Sequence, residues 1–405
     1  MAIGFWQKIK EYAQSGSLPT AGVLFVDDHG YVDLMKVDDS AGSGHSCTDL
    51  TNGAAFTGLV YNYALGYVCN LGMLQNTGNF YVAWGRDSAR AWCNQNLNYI
   101  PQWGDHEFYN DLGWTLPTAS VALPETGAKA ATMFASGKTA WNAFMQPLQP
   151  TDLTKTLDAT SNHWGYTIGP LKVVAPDMIS KGDGTGISPV TTVYGNNQID
   201  DILAYLNSST SPFNILCMSN SVRHLSASGI YLGNTQGAQH PLFDHCLPEY
   251  QRLFTNSSTN SIMNSVKTNG ISGATILLHG DMHHACVLEH KNVSYALNNA
   301  EMFYSVHLGS INGSINTDWN AIAEGESYGG TTVEYLVDGW GLSTHHWHGM
   351  RIDVFGSYKV KELHIILMDE TGNEVWHGRW LEKSSNDSFP TSWIRPNVIM
   401  GGPNF

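Results

Sequence analysis

Three short segments of the sequence combine carboxylate and imidazole side chains, and each follows a run of apolar residues. They are Asp27, Asp28 and His29 after residues 23–26; Asp105, His106 and Glu107 after residues 97–103; and Asp281, His283 and His284 after residues 274–278. Carboxylate oxygens mixed with imidazole nitrogens suit Fe, Mn, Zn or Ca ions. Two such ions about 3.5 to 4 Å apart form a site that cleaves phosphoesters. The residue types therefore predict a metal-dependent hydrolytic site, provided that the three segments meet.

The apolar runs predict the strands that would bring these segments together. Each run is short and apolar, which is the pattern of a buried strand. In open α/β sheets, ligands bind at the carboxyl ends of the strands. Because each polar segment follows its run directly, we expect all three at one edge of a sheet. Any one segment alone is also compatible with a polar loop around a hydrogen-bonded Asp.

Further helices and strands are predicted along the chain. Helical spacing is present at 6–14, 86–96, 125–145, 197–206 and 249–254, and residues 213–218 predict another buried strand. Residues 166–174 predict a hairpin around Gly169 and Pro170, and 350–380 alternate as antiparallel strands do. Residues 40–54 are rich in Gly, Ser and Asp and predict a loop.

Composition excludes several classes of protein. The 405 residues are 42% hydrophobic and 11% aromatic, which excludes a disordered chain. The formal net charge is −15 and Lys and Arg form no cluster, so we expect no binding to a nucleic-acid backbone. No apolar run is long enough to span a membrane, and the first twenty residues lack a signal-peptide pattern. With only 14% charged residues and much Asn, Ser and Gly, the composition favours a secreted or virion-associated protein.

The six cysteines and the length each leave alternatives open. The cysteines have no CxxC spacing and lie in mostly apolar surroundings, which predicts buried free thiols and leaves disulfides possible. The length allows two or three domains or one large α/β sandwich.

The three polar segments resemble the motifs of one enzyme family. VDDHGYVD at 26–33 resembles GDxxYxD of the PhoD-like alkaline phosphatases, which belong to the calcineurin-like metallophosphoesterases. WGDHEFYND at 103–111 resembles their WDDHExxxN, and HGDMHHA at 279–285 resembles their SGDxHxx. Weaker matches at 195–206, 213–219 and 244–254 keep the family order over about residues 6–380. The resemblance implies an α/β fold, a four-layer αββα sandwich of two mixed sheets flanked by helices, formed by a single domain over 1–405 with antiparallel strands at about 350–380.

The resemblance also implies roles for the matching residues. Asp28 would bridge two metal ions, and Tyr31 would be a phenolate ligand, as in the related purple acid phosphatases. Asp105, Asp281 and His283 match further ligand positions, and His224 and His240 compete for one more. His106 would contact the phosphate or protonate the leaving oxygen, and Glu107 would orient His106. The implied cofactors are thus two ions among Fe, Mn, Zn or Ca, and the implied substrate is a phosphoester.

The first motif of the superfamily has no counterpart in the sequence. A strand carrying the first metal ligands should precede the helix predicted at 6–14. We expect that this strand is encoded upstream, that a partner chain supplies it, or that one metal site has fewer ligands. Alternatively, Asp27 and His29 are themselves that DxH motif, although Tyr31 and Asp33 fit the later motif better. Asp27 also stands where the family has a glycine.

Three functions are compatible with these residues. The first is a metal-dependent phosphomonoesterase or phosphodiesterase, which the retained ligand and acid positions favour. The second is a degenerate PhoD-like fold that serves as a binding or structural module, for example on a virion or cell surface. The unmatched first strand and Asp27 favour this second function. The third is hydrolysis of a non-phosphate ester at the same metals.

Overall fold

The computed structural model describes residues 3–15, 22–26, 36–38, 44–46, 63, 64, 67, 88–104, 107, 108, 128–179, 192, 194–208, 211, 213–218, 249, 252, 253, 274–280, 286–292, 302–307, 327, 328, 331–338, 347–356, 361–369 and 372–381. Within these ranges the chain is a mixed α/β protein with several sheets and few helices. The helices are α1 (Ile3–Ser15), α2 (Ser88–Asn96), α3 (Ala128–Phe144) and α4 (Asn196–Asn207), with a 3-10 helix at Gln146–Leu148.

The described strands fall into four sheets. They are β1 (Gly22–Phe25), β2 (Lys36–Asp38), β3 (Gly44–Ser46), β4 (Asn98–Pro101), β5 (Trp164–Ile168), β6 (Leu171–Ala175), β7 (Phe213–Met218), β8 (Ala274–His279), β9 (Cys286–Asn292), β10 (Met302–His307), β11 (Ser327–Tyr328), β12 (Thr331–Asp338), β13 (Trp347–Gly356), β14 (Lys361–Asp369) and β15 (Glu374–Leu381). An eight-stranded sheet has the order β11-β12-β9-β10-β8-β7-β6-β5. β13, β14 and β15 form an antiparallel sheet, β1 and β4 a parallel pair, and β2 and β3 an antiparallel pair.

The eight-stranded sheet has a parallel centre. β6, β7, β8 and β10 are parallel neighbours, whereas β5 pairs antiparallel with β6 on one side. On the other side β9, β12 and β11 continue the sheet with antiparallel pairing. A parallel centre places the carboxyl ends of consecutive strands at one edge, which is where α/β proteins bind ligands.

The eight-stranded sheet buries side chains on both of its faces. On β7, Ile215 and Cys217 belong to one hydrophobic cluster and Leu216 belongs to another. The first cluster also contains alternate residues of β14: Leu363, Ile365 and Leu367. The second contains one face of α4: Ile199, Ile202, Leu203 and Leu206. The spacing of these α4 residues is that of an amphipathic helix, so the helix buries its apolar stripe in the same core as Leu216.

Most predicted elements are confirmed. The helices predicted at 6–14, 86–96, 125–145 and 197–206 are present, and the described residues of 249–254 are helical. The hairpin at Gly169 and the antiparallel strands at 350–380 are present as well. The loop predicted for 40–54 is wrong in part, because β3 lies within it and pairs with β2, which precedes it. Composition indicates a loop there, whereas the strand depends on a partner outside the segment. The four-layer arrangement and the single domain stay predictions.

Two of the cysteines can be compared with their prediction. Cys93 and Cys217 are buried thiols outside any disulfide, as expected for those two residues. A buried apolar setting raises the pKa of the Cys217 thiol well above its ordinary value, which keeps it protonated. In addition, the helices that the structure describes include none with the length and apolar character to cross a membrane.

A buried carboxylate fixes the long irregular segment after α3 onto α4. Asp201 accepts hydrogen bonds from the backbone N–H groups of Thr156, Leu157 and Asp158 at 3.0 to 3.1 Å. These amides lie outside helices and strands, so the carboxylate supplies acceptors that secondary structure would otherwise provide.

His163 lies in the same buried cluster. Its Nδ1 contacts the hydroxyl of Ser161, and its Nε2 lies 3.7 Å from the carboxylate of Asp201. Burial lowers the pKa of His163 to about 4; the charge of Lys155 adds to this shift, and nearby carboxylates oppose it. The imidazole is therefore neutral in the folded protein at neutral pH.

We predict that His163 makes the fold sensitive to acid. Because its pKa rises from about 4 to 6.5 on unfolding, the unfolded chain binds more protons between these values. Its contribution to the free energy of unfolding is therefore complete above pH 6.5 and decreases as the pH falls toward 4. Urea unfolding of the wild type and of His163→Gln at pH 7, 5.5 and 4.5 measures this contribution. We expect the wild type to lose more stability than the variant. Equal losses would contradict the assignment.

Candidate functional site

The carboxyl ends of β1 and β4 lie side by side. The two strands pair in parallel, and Phe25 is opposite Pro101 at their last position. Val26 continues from β1, and Gln102 continues from β4. The first two polar segments of the sequence therefore leave adjacent strands at the same edge.

The ends of β6, β7 and β8 are also adjacent. Val174 of β6 is opposite Leu216 of β7, and Met218 at the end of β7 is opposite His279 at the end of β8. His279 and the buried Gly280 lead directly into the third polar segment. This segment therefore starts at the carboxyl edge of the eight-stranded sheet.

Two buried side chains connect these two groups of strand ends. Gln102 donates from Nε2 to the carbonyl oxygen of Cys217 at 2.7 Å and to that of Pro176 at 3.5 Å. Trp103 donates its indole N–H to Oδ1 of Asp177 at 2.9 Å. The end of β4 is thus hydrogen-bonded to the ends of β6 and β7. It follows that β1, β4 and β8, which precede the three polar segments, all end on the same side of the molecule.

Most of the predicted site residues lie outside the residues that the structure describes. They are Asp27, Asp28, His29, Tyr31, Asp105, His106, His224, His240, Asp281, His283 and His284. The convergence of the strand ends is an observation, and coordination of metal ions by these side chains stays a prediction. In the described part of the chain, no group of three or more His, Cys, Asp or Glu side chains is arranged to hold a metal ion.

Glu107 is the one predicted site residue that the structure describes. Its side chain is buried, and Oε2 accepts the backbone N–H of Gly104 at 2.6 Å. This bond joins Glu107 to a residue three positions earlier in the chain. Tyr67 donates its hydroxyl to the carbonyl oxygen of Glu107 at 2.8 Å, and Tyr63 donates to that of Phe108 at 2.5 Å. The segment after Gly104 is therefore held by bonds from both its own carboxylate and these tyrosines, and the predicted orientation of His106 by Glu107 stays a prediction.

Aromatic rings support the same segment. The ring of Trp103 lies 5.1 Å from that of Phe108 and 5.6 Å from that of Trp141, between centroids. Gly137 of α3 lies against Phe108, and a Cβ atom at this position would lie 2.5 Å from Phe108 Cδ1. A glycine within a helix costs about 1 kcal/mol relative to alanine. Here it lets the helix approach the ring closely.

We predict that Gly137→Ala destabilises the protein by about 1 to 3 kcal/mol, because the added methyl group overpacks the contact with Phe108. On an open helix surface the same change would raise the free energy of unfolding by about 1 kcal/mol. Chemical denaturation compares the variant with Thr139→Ala, which lies exposed on the same helix and should change stability by about 0.5 kcal/mol or less. An increase in stability for Gly137→Ala would show that the ring moves freely.

Asp177 is the centre of a buried hydrogen-bond network behind Trp103. Besides the indole, its carboxylate accepts the backbone N–H of Asn162 at 2.5 Å. Its own backbone N–H and carbonyl oxygen bond to the side-chain amide of Gln198 at 2.6 and 2.8 Å. The amide of Gln198 also donates to the carbonyl oxygen of Tyr194 at 2.8 Å. The anchor of Trp103 therefore depends on the position of α4, which carries Gln198.

The start of α4 is held in turn by Glu249 and Arg252. Glu249 is buried and accepts the backbone N–H groups of Tyr194 and Gly195, each at 2.9 Å. Arg252 donates to Oδ1 of Asn196 at 2.5 Å and pairs with Asp200. Accepting free N–H groups at a helix start is the role of a cap, and here a distant carboxylate performs it.

Sequence reasoning missed Asp177, although a usable signal was present. Asp177 follows the apolar strand β6 after one proline, as the carboxylates of the other segments follow their strands. Gln198 and Arg252 lie in the weaker matches at 195–206 and 244–254, where no role was assigned to them. Nothing in the sequence around Gln102 indicates its role, because its hydrogen-bond acceptors lie at the ends of two strands that are distant in sequence.

We predict that Trp103 and Asp177 are energetically coupled. A double-mutant cycle of Trp103→Phe and Asp177→Ala should give a coupling of about 1.5 to 3 kcal/mol in the free energy of unfolding, the range for a hydrogen bond to a charged group. A parallel cycle with Trp380→Phe on β15 is the control and should be additive within about 0.5 kcal/mol. A coupling of zero for the first pair would mean that the indole bond does not contribute to stability.

Comparisons with known proteins give a likeness to a solved structure. No protein-family model matches the chain, and no curated protein matches it. The chain is similar to a solved structure of PhoD, with a TM-score of 0.55 and 13% sequence identity, over 99% of this chain and 70% of that chain. At this identity the likeness shows the fold alone, so the chain has a PhoD-like fold.

Proposed function

We propose that the chain is a metal-dependent phosphoric ester hydrolase. The observation that supports it is the convergence of the ends of β1, β4 and β8, which the bonds of Gln102 and Trp103 hold together. Each of these ends continues directly into carboxylate and imidazole side chains. The PhoD-like fold agrees with this proposal.

The donor chemistry of the converging segments fits two metal ions. Asp28, Tyr31, Asp105, Asp281 and His283 would hold them, and Asp27, His29, His284, His224 and His240 are further candidates. When bound, such ions lower the pKa of a bound water molecule and stabilise negative charge on the phosphoryl oxygens. Fe, Mn, Zn and Ca each suit mixed carboxylate and imidazole ligands.

His106 would act as the general acid of the reaction. An imidazole can protonate the leaving oxygen near neutral pH, because its ordinary pKa lies close to that value. The described residues on either side of His106 in the sequence are fixed by hydrogen bonds, from Gly104 to Glu107 and from Trp103 to Asp177. These contacts would hold the imidazole in one place relative to the substrate, which reduces the entropy lost in reaching the transition state.

The same reasoning extends to the architecture. Two hydrophobic clusters lie on opposite faces of the eight-stranded sheet, and β14 contributes alternate residues to both of them. The cluster that contains α4 also contains Trp6 of α1 and Ile366 and Met368 of β14, so β14 is buried on both faces, which agrees with a four-layer αββα sandwich. We place all 405 residues in this single domain.

We predict that His106→Ala lowers kcat by about 10² to 10⁴ after metal loading. The loss should be larger for phenyl phosphate than for p-nitrophenyl phosphate, because the better leaving group needs less protonation. Steady-state kinetics with each of the four metals measures kcat for both substrates and for the corresponding diesters. Glu11→Gln, a carboxylate change at an exposed position of α1, is the matched control.

Two results would count against this proposal at different levels. If the wild type hydrolyses none of these esters with any of the metals between pH 5 and 10, the hydrolase function is wrong. If the wild type is active and His106→Ala loses the same factor on both substrates, or none, His106 is not the general acid.

A further inference from the structure

Two histidines on the C-terminal sheet face each other across neighbouring strands. His364 of β14 is opposite Arg379 of β15, and His377 of β15 is opposite Ile366, so the two histidines are diagonal neighbours on one face. Their ring centroids are 4.9 Å apart, and Nε2 of His377 lies 3.0 Å from Nδ1 of His364. The side chains are 17% and 19% exposed, so solvent reaches both rings.

A carboxylate lies against the far nitrogen of each ring. Nε2 of His364 is 3.0 Å from Oε2 of Glu362, and Nδ1 of His377 is 3.3 Å from Oε1 of Glu374. A carboxylate can only accept a hydrogen bond, so the bond to Glu362 places the N–H of His364 on Nε2, while Glu374 lies near Nδ1 of His377 as a charged neighbour. The lone pair that remains on His364 Nδ1 points toward His377 Nε2, and these two nitrogens share a hydrogen bond.

Glu362, which accepts the bond from His364, is kept ionised by its neighbours. Arg379 donates to both of its oxygens, at 2.9 and 2.8 Å. These bonds, together with that of His364, lower the pKa of Glu362 to about 2. A carboxylate that orients a histidine in this way is the usual outer partner of a histidine metal ligand.

The hydrogen bond from ring to ring places one proton between two nitrogens, 3.0 Å apart, that can each bind a metal ion. A metal ion in place of that proton fits after a small movement. In tetrahedral coordination with bonds of 2.0 to 2.1 Å, two nitrogen ligands are about 3.3 Å apart, a few tenths of an ångström more than observed. We propose that His364 and His377 bind a divalent transition-metal ion such as Zn²⁺, Ni²⁺ or Cu²⁺, with Glu362 and Glu374 orienting the rings.

The ligand type determines the class of ion. Imidazole nitrogens suit Zn²⁺, Ni²⁺ and Cu²⁺, whereas Mg²⁺ and Ca²⁺ take oxygen ligands. Two protein ligands leave coordination positions for water, which the partial exposure of the rings permits. Asp353 of β13 lies opposite His364 in the sheet and pairs with Arg351 at 2.9 Å, so it adds little charge of its own. The net charge of −15 on the whole molecule favours the binding of a cation. This site is independent of the proposed function, because it rests only on the C-terminal sheet.

The test starts from the metal-free full-length chain and measures by equilibrium dialysis at pH 7.5 how many Zn²⁺ ions it binds. We expect the wild type and the control Glu11→Gln to bind one more ion than His364→Gln or His377→Gln. Glu374→Gln should retain that ion with affinity lowered about 10- to 100-fold, the effect of removing the partner of a histidine ligand. Binding should release protons and weaken at pH 5.5, because the ion replaces the proton between the rings.

Circular dichroism establishes whether the variants are folded. If a histidine variant does not fold, Glu374→Gln still tests the site, because Glu374 is the most exposed member of the group. The proposal is overturned if wild type, histidine variants and Glu374→Gln bind the same number of ions with the same affinity, in which case a proton alone bridges the rings.

Discussion

The proposed site depends on the hydrogen bonds that join the end of β4 to the ends of β6 and β7. Gln102 and Trp103 supply the donors, and Cys217 and Asp177 supply the acceptors. All of these groups are buried, so water cannot replace a lost partner, and a donor or acceptor left without one costs about 1 to 3 kcal/mol. The strand ends are therefore held in one relative position by bonds that are expensive to break. Without them, the ends of β1 and β4 would rely on hydrophobic packing, such as that of Leu24 and Ile100, for their position relative to β8.

Buried carboxylates also hold the irregular segments that lie next to these strand ends. Asp201 holds three backbone amides of the segment after α3, and Glu249 holds two at the start of α4. Asp177 and Glu107 each accept at least one backbone N–H as well. In all four cases a carboxylate oxygen accepts hydrogen bonds from backbone amides that lie outside a sheet, so these buried amides are satisfied without secondary structure. Irregular segments can thus be packed tightly next to the strand ends.

The sequence predicts those parts of the fold that depend on local pattern. The apolar runs of β1, β4, β7 and β8 and the spacing of the α4 residues follow from which side chains are buried. Much of β9, β10 and β12 was not predicted, because strands such as Cys286–Asn292 mix apolar residues with Glu, His and Lys. Their pairing depends on neighbours in the sheet, which are distant in sequence. β3 was assigned to a loop for the same reason.

The site shows the same division between local and distant information. The carboxylates and histidines after each strand could be found from sequence, because residue type and position after an apolar run are local properties. What holds the segment around Glu107 could not be found in that way. It is fixed before Asp105 by Trp103 on Asp177, and after His106 by Glu107 on Gly104 and by the tyrosines on the backbone at 107 and 108. The proposed general acid, His106, would require such support on both sides, because an error of about 1 Å in its position is enough to lower the rate by about 10²-fold.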